Sequence, residues 1–412
     1  MIGAGGLAFT AVNIAIGAGI FIMPAILAKM LGPGAVLVDL LCGVATILVM
    51  ACFVEISSEV KRTGGPLAAL EEILGTWPGF LCWLLYGLYA LAAGAFLSLA
   101  LSDSLGFHGA ARLVCSATVV TLIAALNAIG VRHGLRFALI TTAAKLIPLA
   151  LVIVGGAFIM NRTNLRIPAW PASHALGSGA LAMFFAFAGT ETALLPAGEL
   201  KDPRTTVPRA IFAAVVMLTV IYASVQWVSQ GVLGSNMRAT APLADVAAAS
   251  WGPIGRTIVR IGTSVSILGC LSGCLLAVPR WAFLGARMRA LPAGLGQVNL
   301  RYQTPLAAII ATSTVVVLIS LSGALERLTA LMSASILVVY LAACLAVLRR
   351  TRNPDGFHVP GARTIAIAGA MITVYMLAHL SAREFVAISG AVALGILYRA
   401  AGTGWRKPEQ VR

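Results

Sequence analysis

The stretch NIAIGAGIFIMP, from Asn13 to Pro24, decides how the chain is read. It lies inside an apolar block that covers residues 5–31. A helix crossing a bilayer needs no glycine pair at its centre, yet Gly17 and Gly19 flank Ala18 here. Unwinding a helix in hydrocarbon exposes amides and carbonyls that water does not reach, so it is tolerated only where the backbone lines a cavity. In such a break the half-helix beginning near Ile20 points free N–H groups and a positive dipole end into the cavity, which suits a carboxylate. The unwound carbonyls accept from an ammonium. Glycine permits close approach and unusual dihedrals. The competing reading is that the two glycines serve tight helix packing.

Composition sets the class. The 412 residues are 59% hydrophobic and only 10% charged, with a mean hydropathy of +0.95. A soluble chain of this length needs far more charge to cover its surface. A bilayer core takes about 20 apolar residues per helix, and blocks of that size recur along the whole chain. The expected class is an all-α polytopic membrane protein. The first block is too long for a signal-peptide core and is read as a retained span. The formal net charge of +15 is explained by the positive-inside rule. No aromatic surface interleaves the arginines, so nucleic acid is not an expected partner. The seven cysteines and five histidines show no disulfide or metal spacing, and no metal or cofactor is expected.

Twelve spans are expected, roughly at 5–31, 35–58, 79–103, 110–130, 136–159, 177–198, 207–233, 255–284, 305–323, 327–348, 363–381 and 384–400. Residues 61–78, 239–252 and 285–304 are too polar or broken to cross and read as short surface helices. Alternate loops carry about twice as many Lys and Arg on one side as on the other, which places both termini in the cytoplasm and the chain in the cytoplasmic membrane. The whole of 1–412 reads as one domain, with no loop long enough to fold alone.

The opening stretch has a counterpart in MFFAFAGTETALLPAGEL, Met183 to Leu200. Its centre is Gly189-Thr190-Glu191. Five spans separate the two breaks, and an odd offset inverts the second set, the pattern of an inverted repeat with discontinuous helices in corresponding positions. Residues 1–159 then form the first five-helix repeat, 177–348 the second, and 363–400 two further helices. Glu191 is the one acid expected near the middle of a span, where an ionisable group is a functional candidate: a proton-sensitive gate, or a charge at a helix N-terminus. Lys145 is the one central base. It lies nine residues past Arg136, about 14 Å along a helix, too far to snorkel to that interface. A buried ammonium needs carbonyl or carboxylate partners, and unwound backbone in span one offers carbonyls. Lys145 is then either a structural tie or a group that titrates in place of a bound cation.

These residues resemble a known family. IGAGIF (Ile16 to Phe21), FAGTE (Phe187 to Glu191), GELKDPRTTVPRAI (Gly198 to Ile211), AAKLIPLAL (Ala143 to Leu151) and GGPLAAL (Gly64 to Leu70) are similar to hallmarks of the amino acid–polyamine–organocation transporters. The matches cover spans one to seven in order. The resemblance implies a LeuT-like fold, with a five-plus-five inverted repeat and two extra helices, and secondary transport of amino acids or amines. It implies that the backbone of Ile16, Gly17, Ala18, Gly19 and Ile20 takes the substrate carboxylate. The backbone of Phe187, Ala188, Gly189 and Thr190 would take the amino group. Glu191 is similar to an acid linked to proton sensing. Lys145 is similar to a lysine that stands in place of a sodium site, so sodium is not expected there and a proton is the coupling ion to consider. In span eight, Thr263, Ser264 and Ser266 would reach substrate or Lys145, or make ordinary helix–helix hydrogen bonds. Glu199, Lys201, Asp202 and Arg204 form either a salt-bridged latch after span six or a solvated loop. The loop after Pro66 lacks the aromatics that relatives often carry.

No acid besides Glu191 is expected deep in a span, which favours a neutral amino acid over a polyamine or cationic amino acid. Symport with protons and exchange both fit Lys145. An intramembrane enzyme would need a nucleophile with a base, or a metal motif such as HExxH, and neither is present. A channel or a non-transporting binding protein is the remaining alternative. The expected partners are a small amino acid and the lipid bilayer, with the chain as monomer or homodimer.

Overall fold

A computed structural model describes residues 4–57, 65–129, 131–167, 169–191, 203–237, 241–299, 301–323, 325–350 and 358–400. Among them the fold is helical throughout, and the only β pairing is an isolated bridge between Asn299 and Thr304.

The first apolar block is two helices, α1 (Ala4–Ala15) and α2 (Gly19–Leu31). The second half starts at Gly19, one residue ahead of expectation. There follow α3 (Ala35–Ser57), α4 (Gly65–Leu74), α5 (Thr76–Ser104), α6 (Gly109–Ala128), α7 (Val131–Ile159) and α8 (Ser173–Phe187). The remainder is α9 (Pro203–Leu233), α10 (Pro242–Arg287), α11 (Leu306–Ser320), α12 (Leu325–Arg349), α13 (Ala362–Leu377) and α14 (Ala382–Ala400).

Three polar blocks resolve differently. The segment 61–78 holds α4 and the start of α5. Of the segment 239–252, Pro242 onward is helical and continuous with span eight, bent at Gly252, whose φ of 66° ends one helix and starts the next. The segment 285–304 was expected as a surface helix. Beyond the end of α10 it contains only a 3₁₀ turn at Ala293–Gly296 and the isolated bridge. Pro292 and the glycines at 294 and 296 oppose a longer helix.

Among the described residues six helical segments are by themselves long and apolar enough to cross a bilayer. They are 19–57, 76–104, 109–128, 206–236, 242–287 and 331–349. The bent pair α13 and α14, meeting at 113°, raises this to seven. Expected spans one, five, six and nine do not pass as single helices among the described residues, and eleven and twelve pass only together as that bent pair. The break shortens span one, span six runs past the described residues, and spans five and nine are represented by short apolar helices at 144–159 and 306–320. The chain is a multi-pass membrane protein.

α5 is the most enclosed of these helices, buried from Gly79 to Ser102 with few interruptions. An element apolar on all sides sits inside a bundle. It packs against α10 and α12, and α1 lies against α7, α9 and α10. This arrangement places the broken α1–α2 segment at the bundle centre.

Candidate functional site

The two glycines of the first break are required by close approach. Both keep negative φ. A Cβ on Gly17 would come 2.9 Å from Cys270 Sγ, and one on Gly19 would come 3.2 Å from Ala186 Cβ. Packing and unwinding are therefore the same feature here, since the segment turns while pressed between α5, α8 and α10.

The carbonyls of Asn13, Ile14, Ala15 and Ile16 are each claimed. Lys145 Nζ donates to Asn13 O at 2.8 Å and Ile16 O at 2.7 Å, and the side chain is fully buried. Ser266 Oγ donates to the same Ile16 O at 3.1 Å. Cys270 Sγ reaches Ile14 O at 2.8 Å. Tyr222 OH lies 3.2 Å from Ala15 O and 2.9 Å from Ala186 O, joining the first break to the end of α8. The amides differ. Gly17 N donates to Ala15 O, but among the described residues no acceptor meets the N–H groups of Ala18, Gly19 and Ile20. They form the N-terminus of α2, an anion-binding arrangement.

The second break follows α8. Gly189 has φ 101°, a conformation that only glycine adopts readily. Glu191 folds back so that its Oε2 accepts from Gly189 N at 3.0 Å and from Tyr340 OH of α12 at 2.6 Å. Thr190 Oγ1 donates to Phe187 O at 3.3 Å. Residues 192–202 lie outside the described residues, as do the side chains of 203–205, so the latch expected at Glu199, Lys201, Asp202 and Arg204 has no description.

A cavity of about 60 Å³ lies between the breaks. Ala15, Gly17, Ala18 and Gly19 line one side, Ala186 and Ala188 another, with Tyr86, Tyr89, Cys270, Cys274 and Met332 around them. No charged side chain lines it. Of the expected substrate residues, Gly17, Ala18, Gly19 and Ala188 reach the cavity. Ile16, Ile20, Phe187, Gly189 and Thr190 are buried behind it. Of the coupling residues, Lys145 and Ser266 meet on Ile16 O, and Glu191 sits on the far side of the second break. Ser264 is apart from them, hydrogen-bonded to Ser104 Oγ at 2.9 Å.

A larger cavity of about 730 Å³ shares Ala18, Gly19 and Phe96 with the first. It opens at the end of the bundle toward which α2 and α5 run, past Asp103, Asp245 and Arg256. The opposite end is closed one turn below. Trp83 and Trp281 stack at 4.7 Å, and each indole donates to the other's carbonyl, at 3.2 and 2.7 Å. Among the described residues the central cavity is thus reached from one end only.

A pocket at paired helix breaks, open to one side, in a multi-pass bundle is the signature of a carrier rather than of a catalytic centre. Sequence comparison supplies the family: residues 2–394 match the profile described as amino acid permease. The chain belongs to the amino acid permease family. This permease is 30% identical over 361 residues to the serine/threonine exchanger SteT of Bacillus subtilis, covering 83% of this chain and 81% of that one. It is 29% identical over 336 residues to the Asc-type amino acid transporter 1 of Mus musculus, covering 75% of this chain and 62% of the other. Identity to the mitochondrial cationic amino acid transporter 3 of Arabidopsis thaliana is 24% over 375 residues, covering 84% and 61%. The permease is a transporter and not an enzyme.

Several site residues are absent from the sequence reading. Tyr222, Tyr340 and Cys270 sit in apolar spans where one hydroxyl or thiol leaves no periodic trace. Asp39 corrects an expectation. It is 1% exposed, so Glu191 is not the only acid held inside the bundle. Asp39 lies near the start of its block, where sequence alone suggests an interface, but α8 and α9 cover it. It does not line the central cavity, which leaves the uncharged character of that cavity intact.

Proposed function

We propose that this permease carries small neutral amino acids by alternating access, as an exchanger or a proton symporter. The observation that carries the reading is the central cavity, with the unpaired amides of Ala18 and Gly19 on one side and the Ala188 backbone on another. The amides hold the carboxylate and the span-six backbone holds the ammonium. The remaining walls are uncharged and closely packed, which favours a side chain of serine or alanine size. A polyamine or cationic amino acid would place an unpaired charge against Tyr86, Cys274 and Met332. The Bacillus relative is a serine/threonine exchanger, which supports the same size class and supports exchange.

The LeuT-like plan of twelve helices, with two inverted five-helix repeats, belongs to this reading. So do the cytoplasmic termini and the inner membrane, which make the open end extracellular. Lys145 occupies with its ammonium the carbonyls of Asn13 and Ile16 that a cation would otherwise take, so no sodium is bound there.

The test is counterflow in proteoliposomes preloaded with one unlabelled amino acid at a time, reading uptake of labelled serine, threonine, alanine, leucine and arginine, with and without an inward proton gradient. Stereoselective uptake of serine, threonine or alanine supports the assignment. Uptake that needs internal substrate identifies an exchanger, and uptake into empty vesicles under the gradient identifies a symporter. Preferential uptake of arginine, or unsaturable flux, overturns it.

A further inference from the structure

Asp39 does not line the substrate cavity and, among the described residues, has no ion pair. The ion pairs among the described residues are Asp103–Arg112, Asp245–Arg256 and Glu55 with Arg350 and His358. Asp39 Oδ2 is buried with no hydrogen-bond partner. An ionised carboxylate in that position costs many kcal/mol, and such groups take up a proton instead. The surroundings are specific. Gly43 lies directly against Thr219, so Asp39, one turn earlier on α3, lies level with Tyr222 on the antiparallel α9. Cys42, three residues on from Asp39, shares its face of α3. Cys42 Sγ is itself bound to Ala180 O of α8 at 3.4 Å.

One turn further along α9, Gln226 Nε2 donates to Pro24 O at 3.3 Å while its Oε1 has no donor. Ser229 Oγ, beyond it, is also unpaired. Tyr222, Gln226 and Ser229 thus make a buried polar stripe running from the centre of the bundle along α9. Several titratable groups on the other elements packed against α3 have partners. On α12, Tyr340 is bonded to Glu191, and Arg350, just past its end, to Glu55. On α13, Tyr375 is bonded to Ser173 O. On α8, His174 meets the ring of His379 at 5.9 Å. On α2, Lys29 is exposed, and the α4 acid Glu71 is placed at the far end of α3.

We propose that Asp39 is a proton-binding site that reports its occupancy to both broken helices through Tyr222. Tyr222 has one hydroxyl hydrogen and two carbonyls within reach, Ala15 O and Ala186 O. With the proton on Asp39 the carboxyl is neutral, and Tyr222 ties the two breaks together. When the carboxyl O–H breaks and the proton leaves to water, the carboxylate draws the tyrosine hydrogen and the carbonyls are released. Proton binding itself does not depend on the transport assignment. It is measured without substrate, so either can fail alone.

The experiment is infrared difference spectroscopy of the full chain in lipid during a pH titration, with and without aspartate labelled with carbon-13 at the side-chain carboxyl. The expected result is a neutral-carboxyl band at neutral pH that shifts on aspartate labelling and is lost in Asp39→Asn. Asp39→Glu keeps a carboxyl, and there the band persists but no longer shifts with the label. That variant decides the matter if Asp39→Asn does not fold. Tyr222→Phe should move the pH at which the band disappears. The absence of a label-sensitive neutral band in the wild type overturns the proposal. So does a band unchanged in Asp39→Asn and Asp39→Glu, or one that appears only when sodium is withheld.

Discussion

Lys145→Met is the perturbation that most directly tests how the first break is held. Methionine keeps most of the length of the side chain and removes the ammonium. Two carbonyls are affected unequally. Asn13 O loses its donor, and a buried acceptor left unsatisfied costs about 1–3 kcal/mol. Ile16 O keeps its bond from Ser266 at 3.1 Å. In the other direction, removing a desolvated ammonium recovers several kcal/mol of burial cost. The two contributions oppose each other, so global stability should change by less than about 2 kcal/mol. Binding has no such compensation. The segment Asn13–Ala18 loses its anchor, and the amides of Ala18, Gly19 and Ile20 lose their fixed aim. If the same 1–3 kcal/mol is taken from carboxylate binding, affinity falls roughly 5- to 150-fold. Adding Ser266→Ala orphans Ile16 O as well, and the double variant should lose more than the sum of the singles. The assay pairs thermal melting in detergent with serine binding and counterflow. Wild-type binding and flux in Lys145→Met, with the melting point unchanged, would refute the anchoring argument. An additive double variant would refute the shared-carbonyl argument.

Three further outcomes follow from the geometry. Gly87 lies directly against the Trp281 ring and Gly285 against Trp83, so Gly87→Val should cost about 1–3 kcal/mol by overpacking. It should also quench or shift tryptophan emission, whereas Gly294→Ala, with open space around it, should do neither. Glu191→Gln keeps an acceptor for Gly189 N and Tyr340 but removes the charge. The protein should therefore fold, while the pH dependence of counterflow flattens; an unchanged profile would remove Glu191 as a proton-sensitive group. Glu55→Gln breaks a buried pair with Arg350 that also holds Val359 N at 2.6 Å, and should lower stability by about 3–5 kcal/mol, read as a fall in melting temperature.

The break in span one was legible because two glycines one residue apart in a long apolar block have few other uses. Lys145 was legible because an ammonium nine residues from the nearest charge must find carbonyls, and the only unwound backbone expected nearby was the first break. Glu191 was found, but its partner Tyr340 was not, since 149 residues separate them and an apolar span gives no reason to prefer one tyrosine. Asp39 was missed for the opposite reason. Its place near a block boundary looked accessible, and only packing of α8 and α9 over α3 shows that it is enclosed. The number of spans was the least direct reading, because hydropathy counts apolar length and the broken or short helices divide that length unevenly.

Ser264 and Ser266 show where a sequence pattern stops and what extends it. Two residues on a helix are separated by about 200°, so at most one of the pair faces span one. Polarity alone does not choose between them. Packing does: Ser266 bonds to Ile16 O, Gly269 O receives Asn13 Nδ2 at 3.4 Å, Cys270 bonds to Ile14 O, and Gly273 lies against Ile14. These four are spaced three, one and three apart, a single helical face. Once one of them is fixed against the break, the others follow, and Ser264 must turn away to meet Ser104. The face works because its side chains are small. A hydroxyl, a thiol and two glycines let α10 approach closely enough to cap two carbonyls at the first break, Ile14 O and Ile16 O. A larger residue at any of these positions would separate the helices and leave those carbonyls unpaired in an apolar interior.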